Sequence, residues 1–77
     1  MNFKELKHQL KAMNKSQLKH LFELAELEET EKYLLKYAYI DERMVINTCL
    51  KVNISESTYH RLLPIALTKI YYTLKFN

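Results

Sequence analysis

Apolar residues in this chain return at three- and four-residue steps, with polar residues filling the intervals. That is the period of one face of an α-helix; strict alternation would have indicated strands. The clearest run lies toward the C-terminus, where Tyr59, Leu62, Leu63, Ala66, Leu67, Ile70 and Leu74 share one helical face. Ser55 is the expected N-cap, because its hydroxyl can accept from the free N–H groups of the first turn. Glu56 then places a negative charge where the helix dipole favours it. Pro64 falls inside the run. A proline deep in a helix removes the bond to the carbonyl four residues back, here His60, and clashes with it, at about 3 kcal/mol. A kink or break near residues 62–63 is therefore expected, with a short helical part before it and a packing helix after it.

A shorter helix precedes this one. Asp41 is its expected cap, with Glu42 in the first turn. Met44, Val45, Thr48 and Cys49 form the expected inner stripe, and Leu50, Val52 and Ile54 carry apolar side chains through the turn. The turn has no glycine, although such turns often contain one. Asn53 is the natural substitute, since asparagine tolerates the left-handed region better than most residues. Residues 41–74 thus read as a helix-turn-helix.

The N-terminal third alternates in the same way. Phe3, Leu6, Leu10 and Met13 lie on one face of a first helix. The apolar phase shifts after Asn14, which predicts a break with Ser16 as a fresh cap. Leu18, Leu21, Phe22, Leu24 and Ala25 continue as a second helix to about Leu27. One long helix is the alternative. In that version Phe3, Leu6, Leu10, Met13, Gln17, His20, Leu24 and Leu27 sit at heptad positions able to pair with a second copy. Glu28, Glu29 and Thr30 mark the next boundary, with Thr30 as cap. Leu34, Leu35, Tyr37 and Ala38 follow on a helix ending near Tyr39 and Ile40, and Tyr33 and Tyr37 are spaced to stack.

Composition narrows the class. Seventy-seven residues make one domain, 48% of them hydrophobic, which is enough for a core. There is no glycine and one proline, so glycine-rich phosphate loops and Asn-Gly hairpins are excluded. The expected fold is all-α: a small bundle of four to five helices, with residues 1–28 as amphipathic support or dimerisation helices and 29–77 as the helix-turn-helix. No apolar run approaches the roughly 20 residues of a membrane span, and the first ten residues lack the apolar core of a signal peptide. The single Cys49 excludes an internal disulfide and reads as a small buried hydrophobe in a reducing compartment. A cytoplasmic protein is expected.

Net charge is +3 and unevenly spread. Lys4, Lys7, Lys11, Lys15 and Lys19 make the start positive, and Glu23, Glu26, Glu28, Glu29 and Glu31 make the next stretch negative. Both read first as solvated helix faces that can pair with each other. His8, His20 and His60 are scattered, and no cysteine pair exists, so no metal site is expected. Ser55 and Ser57 near His60 suit cap and turn chemistry better than nucleophilic catalysis. No enzyme and no cofactor are expected. Ile65, Tyr72 and Phe76 recur at steps of seven and four, off the main face of the last helix. A second apolar stripe in so small a protein wants a partner, either the N-terminal helix of the same chain or a second copy.

The segments EKYLLKYAYI, VINTCLKVNIS and ISESTYHRLLPIALTKI resemble the ArpU/RinA-like family of phage late-transcription regulators. The most specific piece is Ile54-Ser55-x-x-Thr58-x-x-Arg61 followed by an Ala-Leu packing helix. The resemblance runs from about Glu29 to Leu74. It implies a helix-turn-helix like the promoter-reading region of sigma factors. It also implies that Glu56, Ser57, Thr58, His60 and Arg61 face the DNA major groove, with Arg61 on a base or phosphate. Where family members commonly carry further lysines or arginines after the matching arginine, this chain has Leu62, Leu63, Pro64 and Ile65.

Two functions are therefore expected. The first is a small transcription regulator of a phage or mobile element that reads promoter or operator DNA, acting as a dimer. Ser55 to Arg61 would enter the major groove, with Arg43, Lys51 and Lys69 on phosphates. The second is a protein-binding module that modulates a transcription regulator or RNA polymerase through Leu63, Pro64, Ile65, Tyr72 and Phe76.

Overall fold

The computed structural model describes residues 2–76, and its first three helices are set by how each is capped. Helix α1 spans Phe3–Ala12; the Asn2 side chain accepts from the N–H groups of Lys4 (3.0 Å) and Glu5 (3.4 Å). The chain then turns through extended residues Met13 and Asn14 into α2, Lys15–Leu24. This is the broken arrangement, and the single long helix does not form. The cap is Asn14, not Ser16. Gln17 N–H donates to Asn14 Oδ1 at 2.8 Å, and Asn14 N–H donates to Gln17 Oε1 at 3.0 Å. That reciprocal pair satisfies two backbone donors where Ser16 could satisfy one.

Helix α3, Glu29–Leu35, also starts earlier than its threonine suggests. Glu28 is the cap position, and its N–H donates to Glu31 Oε1 at 2.8 Å. Thr30 lies inside the first turn. The helix then widens into a π-helical turn, Lys36–Ile40, closed by Asp41 N–H donating to the Lys36 carbonyl at 2.9 Å. Asp41 therefore finishes the preceding helix and does not cap the next. The chain turns through Glu42, whose φ of 52° is left-handed, and α4 runs Val45–Val52 with Met44 at its cap position and no side-chain capping bond.

The turn after α4 is as expected. Asn53 is left-handed (φ 63°, ψ 51°), and the N–H groups of Asn53 and Ile54 both reach the Cys49 carbonyl. Ser55 then caps α5, Glu56–Phe76, by accepting from Thr58 N–H at 3.1 Å. Helix α5 is continuous through Pro64, so the expected break near residues 62–63 does not occur. The lost bond falls between His60 and Pro64, both exposed. The orphaned carbonyl lies on the wet side, where solvent can satisfy it. On the dry side Tyr59, Ala66, Leu67 and Ile70 are anchored in the core on either side of the proline.

The result is an all-α bundle of five helices, as expected from the pattern. Helix α5 is its spine, in contact with α1, α2, α3 and α4. One core cluster gathers Leu6, Leu10, Leu18, Leu21, Phe22, Leu35, Leu67 and Ile70. A second, smaller cluster joins Leu34, Cys49 and Tyr59, with Val45, Val52, Ile54 and Leu62 packed against it. Leu63 touches both.

Candidate nucleic-acid interface and the outer faces of α5

The α4–α5 turn is held by local bonds: the N–H groups of Asn53 and Ile54 reach the Cys49 carbonyl, and Thr58 N–H reaches Ser55 Oγ. The first two turns of α5 follow directly from it. Glu56, Ser57, His60 and Arg61 are exposed together there. Thr58 is half-buried and tied down: Ser55 Oγ donates to Thr58 Oγ1 at 3.0 Å. Beneath them Tyr59 is buried, its ring edge-on to His60 at 5.3 Å between centroids. Burial, and then Cys49, push the Tyr59 hydroxyl above its ordinary pKa. Cys49 is buried as expected, and burial, then Glu56, raise its thiol, so it stays protonated at neutral pH. Tyr39, half-buried near the first core, is pushed up to about 12 by burial and then by Tyr59.

The four cations expected on the DNA differ in their surroundings. Arg61 and Lys51 are exposed, and Lys51 stands beside the stacked rings of Tyr33 and Tyr37 (6.2 Å, 18°). Arg43 lies over the Tyr37 ring at 5.5 Å. Lys69 is different. Its Nζ donates to Glu31 Oε1 at 2.7 Å, and the Glu31 side chain is 4% exposed. The expectation of a free phosphate contact at Lys69 is corrected by this pair, which ties α5 to the start of α3. Glu31 was expected on a solvated face. Nothing in the local pattern separates it from Glu28 or Glu29, because its partner is 38 residues away.

The apolar side chains also divide. Leu63 is half-buried at the joint of the two clusters, so it is part of the core rather than of an outward interface. Pro64 and Ile65 are exposed, and Tyr72 and Phe76 are exposed and stack on each other (6.0 Å, 10°). The N-terminal helix does not cover this stripe; α1 meets α5 around Leu6, Tyr71 and Leu74. Leu24, itself exposed, stands across a shallow recess from Tyr72.

Helix α4 holds a further surprise. Met44 is expected in its inner stripe but is 71% exposed, because it sits at the cap position and the helix begins only at Val45, and Ile46 and Leu50 are exposed as well. Thr48 is fully buried, with a hydroxyl that finds no hydrogen-bond partner. Among the described residues, no three His, Cys, Asp or Glu side chains converge as a metal site would require, and no helix is long and apolar enough to cross a membrane.

Residues 3–71 fit the model of a family described as a protein of unknown function, DUF1492, and the chain belongs to that family. No curated protein and no solved structure matched.

Proposed function

We propose that this protein is a small helix-turn-helix regulator that binds promoter or operator DNA, encoded by a phage or mobile element and acting in the cytoplasm. The observation that carries this reading is the exposed, polar start of α5, held at a fixed angle by the left-handed Asn53 and the Ser55 cap. A helix presented by its N-terminal turns is the shape that enters a major groove. Arg61 would contact a base or phosphate, Ser57 and His60 neighbouring bases, and Lys51 and Arg43 the backbone. The resemblance to ArpU/RinA-like regulators supports the same assignment. With so few cations beside the start of α5, one copy would bind weakly, because phosphate contacts supply much of the affinity. A dimer reading two half-sites would compensate.

The test is fluorescence anisotropy on DNA fragments from the gene's own neighbourhood at several salt concentrations. Selective binding with a clear salt slope is expected, and Arg61→Ala should weaken it by about 1–3 kcal/mol and flatten the slope. Equal, weak binding to every fragment, untouched by Arg61→Ala, would sink the assignment.

A second reading is favoured by a separate observation, the uncovered Ile65, Tyr72 and Phe76 stripe. In that reading the protein docks on a transcription regulator or RNA polymerase and modulates it. Tyr72→Asp would then abolish co-purification with the partner while leaving DNA binding and helicity unchanged. A complex that survives both Tyr72→Asp and Ile65→Asp would eliminate this surface.

A further inference from the structure

Helix α2 and the α3–π segment run beside each other, and between them lies an open groove of about 360 Å³. Its floor is apolar: Phe22 is buried beneath it, and Tyr33 and Ile40 line it. Its rims carry Lys19 from α2 and Lys32 and Lys36 from the opposite side, with Glu23 and Glu29 also present. At Ile40 the groove meets a second recess of about 540 Å³, which adds Lys11, Lys15 and Glu42. The π-helical turn inserts an extra residue into its helix, and Ile40, its last residue, is the point the two recesses share. Taken as one trough, the two recesses carry five lysines and three glutamates. Among the described residues the one ion pair is Lys69 with Glu31, so none of these five ammonium groups has a carboxylate within pairing distance.

We propose that this trough docks an acidic amphipathic helix from another protein. An apolar floor favours leucine- or phenylalanine-like anchors, and unpaired lysines along the rim favour carboxylates on the flanks of the same helix. Helix α2 is ten residues long, or about 15 Å at 1.5 Å per residue, so the trough accommodates about three turns of a partner. Phosphates fit less well, because they gain nothing from Phe22, Tyr33 and Ile40. A second copy offering α5 also fits poorly, since Arg61, Lys69 and Lys75 make that helix cationic. This surface is separate from the start of α5, so it stands or falls independently of DNA binding.

The experiment uses the full chain and a fluorescein-labelled peptide of about 15 residues. Its leucines recur at three- and four-residue steps, and glutamates fill the other positions. Controls are a scrambled peptide of the same composition and a duplex oligonucleotide. The patterned peptide is expected to bind about tenfold more tightly than the scrambled one, and Lys19→Glu with Lys36→Glu to cost at least about tenfold. Arg61→Ala should leave peptide binding unchanged. Equal binding of both peptides would overturn the proposal, as would displacement of the patterned peptide by duplex DNA. Should the double variant lose its helical circular dichroism, amide shifts of the wild-type chain on adding peptide decide the matter. Shifts centred on Phe22, Tyr33 and Ile40 support the trough, and shifts confined to α5 refute it.

Discussion

The first two turns of α5 and its last three belong to one helix, yet they leave different chemistry in water. Near the start the outward side chains are Glu56, Ser57, His60 and Arg61. Near the end they are Tyr72 and Phe76, stacked on each other, with Lys75 over the Phe76 ring. The inward face does not change: Tyr59, Ala66, Leu67 and Ile70 form one buried row. The core constrains only that row. The outward faces are free to differ, and under the proposed function they would meet different partners. A polar helix start suits hydrogen-bonded reading of an edge or groove. An aromatic helix end suits a dry contact.

The ends also differ in how they are held. The start is held locally, by a turn and a cap, and the later part is held at long range, by Ile70 in the main core and by Lys69 on Glu31. Ile70→Ala should therefore be the most damaging change, costing about 2–5 kcal/mol in urea unfolding. A loss below that range would mean the end of α5 is only loosely docked. Lys69→Met comes next. It strands the buried Glu31 carboxylate, and because Lys69 is itself partly exposed the expected cost is about 1–3 kcal/mol, between a surface pair and a buried one. Glu31→Gln with Lys69→Met should recover part of that loss, since the carboxamide oxygen still accepts from Glu28 N–H. No recovery would show that the pair is not what links α5 to α3. Ser55→Ala is smaller, about 1 kcal/mol, the usual value of a lost cap. Amide exchange should then quicken in the first turn of α5 and stay unchanged past Pro64. Faster exchange along the whole helix would erase the distinction between its ends.

Much of the local structure was legible in the residues. The break at Asn14, the left-handed Asn53, the Ser55 cap and the Tyr33–Tyr37 stack all follow from interactions within about one turn of helix, and the bundle class follows from the repeated helical period. The outward position of Ile65, Tyr72 and Phe76 was legible for the same reason, since their phase departs from the buried row. Caps are harder to read from the residues: Ser16, Thr30 and Asp41 are each plausible alone, but Asn14 and Glu28 win by pairing with a side chain three residues on.

Helical stretches, their apolar faces and the build of the α4–α5 turn are legible in the residues alone, because these depend on neighbours a few residues apart. The three-dimensional packing was needed to show that Lys69 turns from solvent to Glu31, that Leu63 belongs to the joint between the two clusters, and that Met44 faces water. It also decided that α5 runs unbroken through Pro64. Each of these outcomes depends on what another helix places opposite, and the strength of a charge, a cavity or a missing hydrogen bond depends on whether that opposite surface is protein or water.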